Sequence, residues 1–188
     1  MTRIIAGSAG GRSLSTPKGS RTRPTTDRVR EAMFSRLESL IEFGDAQVLD
    51  LYAGSGALGL ESASRGAVAV LCVESDKPTA GLIRRNASAL RLRQVSVQCE
   101  RVERVLRVGP DGTAYDLVLA DPPYPLDDDA VATVLTLLIE GHWLRPDAVV
   151  MVERSSRSPG PRWPEGLKPQ RSRAYGETTI HDAVFDRE

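Results

Sequence analysis

The sequence predicts an α/β domain built on a mostly parallel sheet. Three observations carry this. From Gln47 onward, short apolar runs alternate with segments of helical spacing, the pattern of successive βα units. The first run leads into a Gly-x-Gly-x-x-Gly turn at Gly54, Gly56 and Gly59, set between a strand and a helix. A later run, 115–120 (YDLVLA), has the unbroken apolarity of a strand buried on both faces and stops at Asp121-Pro122-Pro123-Tyr124. Two successive prolines cannot continue a sheet ladder, so this strand ends in a rigid bend. The carboxyl ends of strands are where open α/β sheets hold their ligands.

In chain order, 3–6 and 12–14 read as two short strands joined by a Gly/Ser turn, a hairpin too small to stand alone in water. Residues 15–25 lack apolar periodicity and read as a loop. Thr25 or Thr26 caps a helix predicted to reach about Phe43, with Val29, Met33, Phe34, Leu37, Leu40 and Ile41 on one face. Strands are expected at 47–51, 69–74, 95–99, 115–120, 148–153, 170–175 and 178–185, and helices near 57–65, 77–90, 101–107 and 128–140. The proline-rich stretch 155–169 reads as a loop. The last strand lacks clean alternation, which predicts cover on both faces. The expected division is a basic hairpin-and-loop extension at 1–24 and a main domain at 25–188.

No run of 18 apolar residues exists, and the N-terminus lacks the apolar core of a secretory signal, so a cytoplasmic protein without membrane partners is expected. Cys72 and Cys99 lie in apolar runs and read as reduced core thiols. His142 and His181 have no metal-ligand spacing around them, and Trp143 and Trp163 read as packing residues, so no metal is expected. The net charge is zero but unevenly placed: residues 1–36 hold eight basic and two acidic side chains, +6, against −6 in the remainder. That asymmetry points to a polyanion-binding arm. Arg12, Lys18, Arg21, Arg23, Arg28 and Arg30 are its candidate nucleic-acid contacts, with Arg30, inside the helix, also suited to a structural ion pair.

The two motifs suggest specific chemistry. Asp121 offers a carboxylate, Pro122 a carbonyl that no ladder needs, and Tyr124 an aromatic face; together they suit a planar amine on a base. The tetrapeptide resembles the (Asp/Asn)-Pro-Pro-(Tyr/Phe) motif of methyltransferases that act on exocyclic amino groups. The glycine turn (Tyr52, Gly54, Gly56, Gly59) by itself serves nicotinamide cofactors as well as S-adenosylmethionine. Asp50, four residues before the first glycine, favours the latter, because it can pair with that cofactor's amino group, directly or through water. Glu74, closing the second strand, suits ribose hydroxyls in either class.

The stretch Arg23-Pro24-Thr25 followed by Asp27-Arg28-Val29-Arg30-Glu31, behind a short hairpin, resembles the N-terminal signature of the bacterial RsmD family. With the glycine turn and the Asp-Pro-Pro-Tyr motif, the resemblance covers essentially the whole chain. It implies a Rossmann-like class I methyltransferase with a seven-stranded sheet and helices on both faces. The implied activity is transfer of a methyl group from S-adenosylmethionine to the 2-amino group of a guanine in 16S ribosomal RNA, position 966 in the standard bacterial numbering. The substrate would be the 30S subunit or an assembly intermediate, and nothing demands more than a monomer. By resemblance to the wider class, Glu100 and the Arg101 N–H would contact adenine, although the family often has an aspartate after a glycine there, whereas this chain has Cys99-Glu100. Three readings compete: an amino methyltransferase acting on adenine or cytosine in DNA or other RNA, or on a protein glutamine; a nicotinamide-dependent oxidoreductase; and a non-catalytic RNA-binding protein on the same fold.

Overall fold

The computed structural model describes residues 2–17, 27–123 and 126–186. The predicted cap at Thr25 or Thr26, the basic residues Lys18, Arg21 and Arg23, and Tyr124 lie outside them.

Strands β1 (Thr2–Arg3) and β2 (Ser13–Leu14) form a short antiparallel hairpin, two residues a side. Helix α1 (Asp27–Glu38) ends earlier than the sequence suggested, because Ser39, Leu40 and Ile41 turn back on the carbonyls of Arg36 and Leu37. A single 3₁₀ turn, Phe43–Asp45, leads into the main sheet. The elements that follow are β3 (Gln47–Leu51), α2 (Ala57–Ser64), β4 (Ala69–Val73), α3 (Lys77–Leu90), β5 (Val95–Gln98), α4 (Val102–Val108), β6 (Tyr115–Ala120), α5 (Asp128–Glu140), β7 (Leu144–Ser155), β8 (Leu167–Tyr175) and β9 (Thr178–Phe185).

Seven strands pair in the order β5-β4-β3-β6-β7-β9-β8. The first five are parallel; β9 inserts antiparallel between β7 and β8. Two differences from expectation concern the far side. β7 begins at Leu144, and β8 begins at Leu167, so Pro169 sits inside a strand. An edge strand tolerates that proline, and the pairing shifts register between Pro169 and Arg171. β9 is covered on both faces, as its unbroken pattern suggested.

Two apolar cores sandwich the sheet. One joins Val48, Leu117, Leu119, Val149 and Met151 to α1, α2 and α3; the other joins Leu49, Leu51, Val118, Val150 and Val152 to α4 and α5. Trp143 belongs to the second, stacked on Tyr115 with its Nε1 donating to the Leu106 carbonyl at 3.1 Å. His181 meets Ser172 through Nδ1 at 2.7 Å, a structural contact between β9 and β8. Cys72 is buried, but Cys99 is exposed, because the β5 edge lacks cover.

The hairpin docks on α2. Glu61, fully buried, accepts the backbone N–H groups of Ile5 at 2.7 Å and Ala6 at 3.0 Å. Ser64 bonds Ala9 N–H and the Ala6 carbonyl through its hydroxyl, while its own carbonyl takes Ser8 N–H. Gly7, at φ +81°, lies so close that an added Cβ would sit 1.9 Å from the Ser64 carbonyl oxygen. Ile4, Ala9 and Leu14 thereby enter the first core.

Candidate active site

The chain leaves β3 to build β4 and β5 on one side, then returns to build β6 and β7 on the other. The crevice above β3 and β6 is therefore the switch point of the sheet, where both sequence motifs arrive.

The glycine turn begins with strain. Tyr52 has φ +57°, a left-handed conformation costly for a bulky residue, and Gly54 and Gly56 follow at φ +55° and +79°. A Cβ on Gly54 would find only the Tyr52 carbonyl, 3.9 Å away, so this position presents bare backbone to the crevice. Gly59 is required for another reason: its Cβ would fall 2.9 Å from Asp50 Oδ2 and 2.7 Å from Cys72 Sγ. Without a side chain there, the Gly59 N–H at the start of α2 reaches Asp50 Oδ2 at 2.8 Å. Glu74 is held by two backbone donors, Gly54 N–H at 2.9 Å and Asp76 N–H at 2.8 Å, which ties the end of β4 to the turn. The Tyr52 hydroxyl donates to Glu103 at 3.3 Å.

Asp121 follows β6, partly buried, with Pro122 buried behind it and Pro123 exposed. Its carboxylate has no hydrogen-bond partner among the described residues. Side-chain parity places it on the same side of the sheet as Leu117 and Leu119, and Asp50 lies on that side of β3, against Gly59 and Cys72. Ala120 pairs with Val152, so the next residue of β7, Glu153, comes level with Asp121. Three strands thus deliver three acids to one rim. Burial pushes the Asp121 carboxyl well above the usual carboxylate range, and Glu153 and Asp50 add to the shift. Asp50 is pushed up to about 7 by burial, with the Gly59 N–H opposing and Glu74 reinforcing.

The Asp50 shift has a measurable consequence. The folded pKa lies above the unfolded value of 3.8, so the folded state binds the proton more tightly. The stabilisation is complete below pH ~4 and is lost as the pH rises towards 7, roughly 4 kcal/mol at most. Melting curves of the cofactor-free protein should therefore fall across this window relative to Asp50→Asn. Parallel curves for the two proteins would show that Asp50 is not the titrating group.

Other expected site residues fare differently. Glu100 accepts the Arg101 N–H at 2.9 Å and pairs with Arg104 at 3.2 Å, so the two groups expected to meet adenine are engaged with each other or with a neighbour. Arg12 is exposed and donates to the Ala89 carbonyl at the end of α3 at 2.5 Å. Arg28 is exposed, with no carboxylate partner among the described residues. Arg30 is corrected: it is 1% exposed and donates to the Arg3 carbonyl at 2.6 Å and to Asp27 at 2.7 Å, pinning β1 to α1 instead of facing a ligand.

Three residues escaped the sequence reading. Glu153 carries the same signal as Glu74 and Asp121, an acid closing an apolar run, and was findable. Arg154, side chain 6% exposed, donates to the Leu126 carbonyl at 3.2 Å and to Asp128 at 2.6 Å, anchoring the exit of the Asp-Pro-Pro-Tyr bend to β7. Asn86 of α3 bonds Ser15 both ways, at 3.1 and 2.9 Å, and reaches the Ser55 carbonyl at 3.4 Å, linking the hairpin exit to the glycine turn. Neither had a sequence signature.

Seven strands in this order, with an acidic glycine turn at the switch point and a proline bend beside it, define the Rossmann-like class I methyltransferase fold. A family model described as "Conserved hypothetical protein 95" matches residues 2–183. The chain belongs to this family, the RsmD family. It is 34% identical over 186 residues to "Ribosomal RNA small subunit methyltransferase D" of Escherichia coli (strain K12), covering 99% of this chain and 90% of that protein. It is 33% identical over 180 residues to "Putative rRNA methyltransferase YlbH" of Bacillus subtilis (strain 168), covering 95% and 96%. Among solved structures, "Putative methyltransferase yhhF" from Escherichia coli superposes with a TM-score of 0.87 at 30% identity, over 100% of this chain and 99% of that one.

Proposed function

We propose that the chain transfers a methyl group from S-adenosylmethionine to the exocyclic 2-amino group of a guanine in 16S ribosomal RNA, the residue at position 966. The substrate is the small subunit or an assembly intermediate. The observation that carries the reading is Asp121: a partly buried carboxyl, among other acids, with no hydrogen-bond partner from the described residues, at the rim of the switch-point crevice. Such a group is poised to accept from a donor brought by a ligand.

The crevice fits the cofactor by charge. Asp50, Glu74, Asp121 and Glu153 make it acidic, which suits a ligand carrying an ammonium and a sulfonium and repels a pyrophosphate. This disfavours a nicotinamide reading of the same glycine turn. Gly54 and Gly56 would let the cofactor approach the backbone, Asp50 would take its amino group, and Glu74 its ribose. Glu100 and the Arg101 N–H would serve adenine only by giving up their bonds to each other.

When bound, S-adenosylmethionine supplies an electrophilic methyl on its sulfonium. The chain's task is to aim a poor nucleophile, whose lone pair is delocalised into the base. The Asp121 carboxylate and the Pro122 carbonyl accept the two N–H groups, which turns the lone pair towards the methyl. As the amine takes up the methyl, positive charge would grow on its nitrogen, and Asp121 would stabilise it. The surplus proton then passes to Asp121 and on to solvent. Tyr124 is the motif's stacking face for the base, which must be splayed out of its helix to enter. Positioning of this kind supplies up to about 7–11 kcal/mol of a barrier.

The test is transfer of labelled methyl groups to under-methylated 30S particles, followed by nucleoside analysis. Label in 2-methylguanosine supports the reading. Label in adenine, cytosine or protein, or none at all with cofactor bound, overturns it.

A further inference from the structure

An acidic crevice repels phosphate, so an RNA strand entering it would be held by cations around the crevice. The described extension lies over α2 and α3, where Arg12 reaches Ala89, and against the first turn of α1, where Arg3 meets Asp27 and Arg30. One edge of the sheet is β8, whose residues 168–174 are all exposed.

β8 places its charge on one side. Arg171 pairs with Asp182 and Arg173 with Ile180 on β9, and these pair with Met151 and Glu153 on β7. Met151 packs in the core that holds Leu117 and Leu119, the side to which Asp121 also points. Both arginines therefore project from the catalytic face, while Ser172 between them and Ala174 after them face the other way. Arg173, Ile180, Glu153 and Asp121 form one row across four strands. At the usual strand spacing, the Arg173 backbone lies about 14 Å from that of Asp121.

The cations here sort by partner. Arg36 is neutralised by Asp182 through two bonds, at 3.0 and 3.3 Å, and Lys168 is paired with Asp186. Arg171 and Arg173 have no carboxylate partner among the described residues, and Arg173 lies over the Tyr175 ring at 5.2 Å. With Ala32, Met33 and Arg36 of α1 they line a shallow groove. Arg28, exposed and one helical turn before Ala32, continues the same face of α1 beyond the groove. Charge on an edge strand also discourages pairing with other chains. That purpose needs neither one sign nor one face.

We propose that the groove between α1 and β8 is a track for single-stranded RNA, in which Arg171, Arg173 and Arg28 take the phosphates flanking the target nucleotide. The inference rests on the RNA reading above. The extension, bonded to the first turn of α1 beside Arg28 as well as to α2 and α3, would continue this track from the groove towards the other end of the crevice.

The experiment measures binding of under-methylated 30S particles across a salt series, which reads the groove without requiring turnover. Arg171→Ala/Arg173→Ala should weaken binding about tenfold or more and make the slope of log affinity against log salt shallower by about 1.4, for two lost phosphate contacts. Melting temperature and S-adenosylhomocysteine affinity should not move. Arg171→Lys/Arg173→Lys should restore most of the binding, since phosphate attraction needs only the charge. Wild-type affinity and slope in the alanine protein overturn the track. So does a loss that lysine does not restore and that comes with a lowered melting temperature. Failure of the wild type to methylate any guanine, with binding intact, would strike the proposed function and leave the groove standing.

Discussion

Asp121→Ala is expected to lower kcat for methyl transfer about 10²–10³-fold, the effect of removing one preorganised group that meets charge in the transition state. Affinity for S-adenosylhomocysteine should be retained, because Asp50, Glu74 and the glycine turn stay in place. Loss through unfolding is not expected either. Asp121 lies partly buried beside Asp50 and Glu153, and its removal relieves repulsion among them. Asp121→Asn separates acceptor from charge: it keeps an oxygen for one N–H and loses the anion. Because the Asp121 carboxyl is raised well above its usual range, kcat/KM of the wild type should climb as the pH rises through that raised value. The asparagine variant should lack this limb and show a smaller loss than alanine. An alanine variant as active as wild type would remove Asp121 from the chemistry.

Glu61→Ala should lower the unfolding free energy by about 3–5 kcal/mol, read from denaturant unfolding. This carboxylate is fully buried and binds three donors: Ile5 N–H, Ala6 N–H and Arg65 Nε at 2.8 Å. Arg65 in turn pairs with Glu38 and lies over the Phe34 ring at 4.8 Å, so the same cluster joins the hairpin, α1 and α2. Truncation leaves two part-buried backbone donors without their acceptor and the Arg65 guanidinium with Glu38 as its one remaining carboxylate among the described residues. Hydrogen exchange locates the damage: the Ile5 and Ala6 amides should lose protection before the strands of the sheet do. Unchanged protection at these two amides would show that Glu61 does not hold the hairpin.

The sheet and the two motif positions were legible because each rests on local chemistry. A glycine turn, a double proline and a buried apolar run restrict the backbone wherever they occur. The ends of elements were less legible. Helix α1 ends at Glu38 instead of Phe43, because the next residues turn back on its last carbonyls, although Leu40 and Ile41 continued the apolar face. β8 runs through Pro169 because it lies at an edge, a fact of strand order that local sequence does not carry.

Charged residues divide the two levels most clearly. Arg28 and Arg30 stand two apart on one helix with the same charge, yet one faces solvent and the other is sealed against Arg3 and Asp27. Sequence alone settles that an arginine is present; what packs against its face decides whether it can meet a ligand. The acids behave likewise. In the sequence Asp50 lay near the end of one strand and Asp121 just past another, but only strand order and register put both on one face with Glu153, Asp121 level with it and Asp50 one pleat below. Sequence alone also points to the class, since the glycine turn, the proline bend and the N-terminal signature are each local stretches that carry the resemblance. The shared acidic rim, and a β8 edge whose arginines meet no carboxylate among the described residues, depend on residues far apart in the chain. Their energies depend on distances that exist only once the sheet has formed.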